Sequence, residues 1–174
     1  MEIIWDILKM SLPAIGVMVT AYFVTKQILE AQYKRNELEL RREISKSLTP
    51  KKINAYERIV LFLERIHPAE MVLRVHQKGM NSQKFQAELV KTIREEFQHN
   101  LTQQLYISNP AWQYIRNAKE ETIKLINVAG SKVPPNSSAI DLSNMIFQIM
   151  SKIDHHPVDI AKDFLKQELR KTLR

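Results

Sequence analysis

The hydrophobic pattern changes character along the chain, and it opens with an apolar block. From Met10 to Thr25 no residue carries a formal charge, and Ile3 to Lys9 ahead of it is apolar apart from Asp6 and Lys9. A bilayer-spanning helix needs about 20 mostly apolar residues, and residues 3–25 supply that length. Trp5 and Tyr22 stand near the two ends, where amphipathic rings favour the membrane interface. The Lys9 stem can reach outward, and Pro13 and Gly16 are residue types that membrane helices tolerate. The pattern predicts a transmembrane anchor over residues 1–25, with residues 3–25 in the lipid bilayer. Two alternatives stay open. Val19-Thr20-Ala21 has the small residues of a signal-peptide cleavage site, although Glu2 and Asp6 oppose the positive start that a signal needs. A helix apolar on all faces can also be buried in a large core.

Beyond Thr25 the pattern turns polar. Residues 26–48 contain neither Gly nor Pro and are rich in Lys, Glu, Gln, Arg and Leu, all good helix formers. Glu30 with Lys34 and Glu37 with Arg41 are favourably ordered i,i+4 pairs. Tyr33, Leu40, Ile44 and Leu48 form a narrow, broken apolar stripe. The segment reads as a helical stalk, either solvated or paired with a second copy or a partner helix. Thr49-Pro50 then carries the signature of a helix start, a cap residue followed by Pro at the first helical position.

From there the period is helical. A helix over 50–66 places Ile53, Tyr56, Ile59, Val60, Leu63 and Ile66 on one side, and His67-Pro68 stops it. A short element follows over 68–74, and Gly79 marks a turn. Asn81 or Ser82 caps a helix predicted over 82–106, with Phe85, Leu89, Ile93, Phe97, Leu101 and Leu105 recurring every four residues. Ser108-Asn109-Pro110 opens a helix that runs to Ala129, with Trp112, Ile115, Ala118, Ile123 and Ile126 on its apolar side. Residues 131–138, with Pro134-Pro135, form a loop. Ser138 and Asp141 resemble a capping box for a helix carrying Ile140, Met145, Ile146, Ile149, Met150 and Ile153. His156-Pro157 opens the last helix, with Ile160, Ala161, Phe164, Leu165, Leu169 and Leu173. The predicted fold is all-α: a transmembrane helix (1–25), a stalk (26–48) and a helical domain (49–174) bundling four long helices and one short one.

Composition narrows the chemistry. The chain has no cysteine and three glycines. Thiolate metal sites and cysteine nucleophiles are excluded, and a glycine loop that cradles phosphate has no support. The formal charge is +7. The excess is densest near the apolar block: residues 26–58 carry nine Lys/Arg against five acids, whereas the much longer stretch 59–174 carries sixteen against twelve. Basic residues flanking a span stay on the cytoplasmic side and attract anionic headgroups. The expected setting is therefore a bacterial inner membrane, N-terminus outside and helical domain in the cytoplasm. Elsewhere the signs are interleaved, as on solvated helices, so nucleic acid is a disfavoured partner.

Several stretches carry a resemblance: Tyr56-Glu57-Arg58-Ile59-Val60-Leu61-Phe62-Leu63-Glu64-Arg65-Ile66, Leu73-Arg74-Val75-His76-Gln77, Arg94-Glu95-Glu96-Phe97-Gln98-His99-Asn100-Leu101, Gln103-Gln104-Leu105-Tyr106-Ile107-Ser108 and Ala111-Trp112. With the apolar N-terminus, the chain resembles an uncharacterised family of small, single-pass, helical membrane proteins from Bacteroidota. The resemblance implies an inner-membrane setting and no activity.

The candidate functional residues lie around the central helix. Glu96, Asn100 and Gln103 share one face, and Glu95 and His99 an adjacent one. A carboxylate four residues from a histidine can be half of a metal site or an acid–base pair, and it also arises on ordinary solvated helices. Arg65, Arg74 and His76 flank the 67–79 connection and are placed to pair with Glu95 or Glu96, or to recognise an acidic partner segment through the arginine forks. His155-His156 at a helix junction reads as capping rather than as metal binding. No Ser-His-Asp arrangement or nucleotide-binding loop is visible, and no cofactor or metal is expected. The favoured function is a non-enzymatic interaction module, a subunit or adaptor of an inner-membrane complex with a protein partner. The alternatives are a membrane-tethered nucleic-acid binder and an enzyme using Glu95, Glu96 and His99.

Overall fold

The structure is a computed structural model that describes residues 2–172, with the side chains of residues 15–172. It is all-helical, without a β-strand among the described residues. The helices are α1 (Glu2–Ile66), α2 (Pro68–Val75), α3 (Ser82–His99), α4 (Asn109–Ser131), α5 (Ala139–Met150) and α6 (Pro157–Thr172), with a 3₁₀ turn over Leu101–Leu105. The chain divides into two compact units, Met1–Thr49 and Pro50–Arg174.

Within the first unit every described side chain is exposed, including Val17, Met18, Tyr22 and Phe23. Thr20 turns its hydroxyl back onto the Gly16 carbonyl at 2.8 Å, which satisfies that polar group inside the helix. The expected Glu37–Arg41 pair forms at 2.7 Å. Among the described residues no helix is long and apolar enough to cross a membrane. Side chains 1–14, which make up the first part of the expected anchor, lie outside the described residues.

One expectation is corrected at the unit boundary. Helix α1 continues through Thr49-Pro50 instead of starting there. A proline fits helical φ and loses only its own N–H bond, here to the Lys46 carbonyl, together with some crowding against that carbonyl. Strong helix formers on both sides sustain the geometry.

In the second unit the core forms where the period predicted it. Tyr56, Ile59, Leu63 and Ile66 of α1 are buried, as are Phe85, Leu89 and Ile93 of α3 and Ile115, Ala118, Ile123 and Ile126 of α4. Helix α4 is central and packs on α3, α5 and α6, while α2 lies on α3 and α5. With α5 at 12 residues, five helical segments rather than four accompany the short α2. The caps are the expected ones. Asn81 accepts from the Lys84 N–H, Ser108 from the Ala111 N–H, and Ser138 with Asp141 closes a full capping box. The loop after α4 is tied down by Ser82, whose N–H reaches the Ser137 carbonyl at 2.9 Å. Gly79, at φ 88°, supplies the left-handed turn residue between α2 and α3.

The second correction concerns the central helix, which ends at His99 rather than running to Tyr106. Asn100 bonds through its side-chain amide to the Glu96 carbonyl at 2.8 Å. Asparagine competes in this way with the helical ladder, and the chain tightens into the 3₁₀ turn. Leu101 and Leu105 leave the core stripe, and Leu105 is 79% exposed. Ile140 and Ile160, expected on apolar faces, are also exposed. Leu173, expected on the apolar side of α6, lies outside the described residues.

Gly130 packs its Cα against the amide end of Gln86, leaving no room for a Cβ unless that amide moves. Gln86 is long and flexible, and its Nε2 donates to Asn127 Oδ1 at 3.0 Å. Gly130→Ala is therefore expected to gain about 1 kcal/mol of helix propensity and lose a surface hydrogen bond of about 0.5–1.5 kcal/mol. Urea denaturation should find it close to wild type; a loss above about 2 kcal/mol, the scale of an overpacked core, would show that Gln86 cannot give way.

Candidate functional site

The arginines flanking the α1–α2 junction converge on one carboxylate. Glu96 on α3 is largely covered, with a side chain 15% exposed, and its Oε1 lies 2.9 Å from Arg65 Nη2 and 3.8 Å from Arg74 Nη1. Arg74 also donates from Nη2 to the Arg65 carbonyl at 2.8 Å, filling one of the acceptors left open at the end of α1. The acid chosen from the two expected candidates is thus Glu96. Glu95 points elsewhere, 3.9 Å from Lys91 Nζ, in a separate groove with Gln86, Val90 and Arg94. His76 is exposed and sets its ring edgewise on Phe85 at 5.7 Å. Gln103 sits on the 3₁₀ turn, bonded to Thr102 Oγ1 at 3.5 Å.

Beside the arginine pair runs a groove of about 300 Å³ lined by Arg58, Leu61, Phe62, Arg65, His99 and Asn100 together with Glu96. Its floor is apolar. Phe62 is fully buried and meets Phe97 at 5.9 Å; Phe97 in turn meets Trp112 at 5.6 Å. Lys119 Nζ stands 4.4 Å over the Phe97 ring, a cation–π contact that supports the stack from behind. The rim is cationic: Arg58 and Arg65 line it with a single acid, Glu96, and Arg74 approaches that acid from outside the groove. Exposed guanidinium forks over an apolar floor suit a carboxylate-bearing ligand. The groove brings Arg65, Glu96, His99 and Asn100 together and leaves Arg74, His76, Glu95 and Gln103 outside it.

A family model matches residues 2–172. The chain belongs to DUF7935, a family of unknown function. No curated protein and no solved structure matches it.

Two further polar clusters in the DUF7935 chain join residues far apart in the sequence. The first joins the starts of α2 and α6. His67 and His156 bring their rings to 5.1 Å between centroids, and His67 Nε2 lies 3.9 Å from Asp159 Oδ2. Lys162 Nζ reaches Asp159 Oδ1 at 2.8 Å and Glu64 Oε1 at 3.0 Å. Burial, then the neighbouring His67, pushes the His156 imidazole below its ordinary pKa. Burial alone would raise the Asp159 carboxyl, but the Lys162 ammonium outweighs it and holds that carboxyl low. Burial likewise opposes the charge on Lys162, and its bonds to Asp159 and Glu64 prevail and raise it. His156 Nδ1 faces the Val158 N–H at 3.4 Å, the capping contact expected at this junction. The signal in the sequence is the recurrence of His-Pro at two helix starts, His67-Pro68 and His156-Pro157.

The second cluster is a clamp of Tyr56, Glu168 and Ser108. The Tyr56 hydroxyl donates to Glu168 Oε1, and Ser108 Oγ donates to Glu168 Oε2 at 2.6 Å. Burial first, and then the Glu168 carboxylate, pushes the Tyr56 phenol up.

Proposed function

We propose that this chain is a membrane-anchored, non-enzymatic interaction module whose helical domain docks an acidic segment of a protein partner in the groove along α1 and α3. The observation that carries this reading is the charge imbalance over an apolar floor: Arg58 and Arg65 line the groove against Glu96 alone, and Arg74 adds a third guanidinium beside that acid. A partner segment with one or two carboxylates and an apolar side chain matches that surface in charge and shape.

Anchoring rests on residues 3–25. Their described portion exposes Val17, Met18, Val19 and Phe23 together, and Thr20 satisfies its hydroxyl within the helix, as lipid requires. Basic residues concentrated beyond the span support an N-terminus outside a bacterial inner membrane and a helical domain in the cytoplasm. The stripe of Tyr33, Leu40, Ile44 and Leu48, exposed throughout, offers the stalk a means of pairing with a second copy.

Two measurements test the two halves separately. Carbonate washing of membranes should leave the chain in the pellet; release into the supernatant would end the anchor reading. Photocrosslinkers placed at Leu61 should capture an acid-rich partner peptide, and that capture should fall at least about tenfold with Arg58→Glu plus His99→Glu, a change of roughly 1.4 kcal/mol or more. These substitutions leave the Arg65–Glu96 pair in place. An unchanged crosslink pattern removes the groove as the docking site.

A further inference from the structure

We infer that His67, His156 and Asp159 form a binding site for a first-row transition-metal dication such as Zn²⁺, bridging the start of α2 to the start of α6. One ring nitrogen of each histidine and one carboxylate oxygen lie within 4.8 Å of one another. His67 Nε2 and Asp159 Oδ2 stand 3.9 Å apart. Ligand atoms around tetrahedral zinc stand about 3.3 Å apart, as bond lengths near 2.0–2.2 Å require. Asp159, half-exposed, can close most of that difference by side-chain rotation.

A second, independent observation points to a ligand. His156 is 7% exposed, and no protein group pairs with its Nε2. Buried imidazole nitrogens are normally satisfied. If Nδ1 accepts the Val158 N–H, Nε2 is left as a donor with no acceptor. If the proton sits on Nδ1, Nε2 is a free lone pair facing no donor. A metal ion resolves the second case, at the cost of a contact that is already long at 3.4 Å.

The electrostatics are mixed, and they set the strength. The amide ends of α2 and α6 oppose a cation, and so does Lys162. Asp159 and Glu64 oppose that field with two negative charges against the one of Lys162. Lys162 also holds Asp159 Oδ1 while Oδ2 remains free for the metal, an outer-sphere contact of the kind that orients ligating carboxylates. Three protein ligands of N,N,O type leave a fourth position for water or a ligand, and imidazole with carboxylate selects zinc, copper, nickel or cobalt over magnesium or calcium.

The test uses the full chain, purified in mild detergent and stripped with a chelator. Titration calorimetry with ZnCl₂ should show saturable binding of one equivalent, and Co²⁺ should give the visible ligand-field bands of a low-coordinate site. His67→Gln and Asp159→Asn should each weaken binding at least about tenfold, while the neighbouring, exposed His155→Gln should not. Circular dichroism of the two ligand variants confirms that they fold. Because neither depends on His156, a misfolded His156 variant leaves the test intact. The proposal is overturned if the wild-type chain shows no saturable one-to-one binding, if His67→Gln or Asp159→Asn binds as wild type, or if His155→Gln alone abolishes binding.

Discussion

Phe62→Ala is expected to lower the unfolding free energy by about 3–5 kcal/mol, the range for removing a fully buried aromatic ring. Phe62 is 1% exposed and forms the floor of the arginine groove. Its ring is the first member of a stack that continues through Phe97 to Trp112, with Lys119 over Phe97. Deleting it removes apolar area and leaves a cavity that the rigid α1 and α3 backbones can only partly close. Phe62→Leu keeps part of the volume and should cost clearly less. Trp112 is a built-in reporter, so urea unfolding followed by its fluorescence, in a Trp5→Phe background, measures both variants. A cost of less than about 1 kcal/mol for the alanine variant is incompatible with a ring buried in this stack. Because Phe62 supports Leu61 and Arg65 at the groove, the alanine variant should also weaken partner crosslinking, which ties the packing to the proposed function.

Phe62 also shows where sequence reasoning stops. The helical period identified Tyr56, Ile59, Leu63 and Ile66 as one buried face, and local signals identified caps at Asn81, Ser108 and Ser138. Those features depend on neighbours three or four residues apart, so they are visible in the chain itself. Phe62 lies on the flank of that face and is buried because α3 covers it, a fact of tertiary packing. Asn100 is the reverse case. A four-residue apolar repeat carried the predicted helix on through Leu101 and Leu105, but one side-chain amide bonding back to the Glu96 carbonyl ended the α-helix and turned both leucines outward. At Pro50 the local signal predicted a start, and good helix formers on both sides carried α1 through it.

The functional surface divides along the same line. Arg65 and Arg74 could be paired with an acid of the central helix because both flank a short connection, and only the helix phase in the structure selects Glu96 over Glu95. Contacts between residues far apart in the chain were out of reach. His67 and His156, and Tyr56 and Glu168 at a separation of 112 residues, meet only when α6 folds back beside α1. The paired His-Pro dipeptides carry the first of these meetings in the sequence as a hint. Nothing near Tyr56 or Glu168 carries the second.

Glu168→Ala is expected to cost about 2–3 kcal/mol, because it leaves a buried hydroxyl without its charged acceptor. Tyr56, 1% exposed, donates to Glu168 Oε1, and Ser108, which also caps α4, donates to Oε2 at 2.6 Å. The carboxylate thus joins α1, α6 and the start of α4. Tyr56→Phe removes the donor instead and should cost about 1 kcal/mol, since Glu168 retains Ser108. The double variant Tyr56→Phe with Glu168→Leu should cost less than the sum of the single changes, because the Tyr56 hydroxyl that loss of Glu168 would leave unpaired is then gone. The pH dependence gives an independent reading. Folding raises the Tyr56 pKa above its ordinary value near 10. A group raised on folding contributes its full stability below the unfolded pKa and loses it as pH climbs through the folded one. The wild-type chain should therefore lose stability above about pH 10 more steeply than Tyr56→Phe. Denaturation midpoints measured between neutral and alkaline pH decide the matter: parallel curves for the two proteins would mean that the phenol–carboxylate bond does not hold α6 against α1.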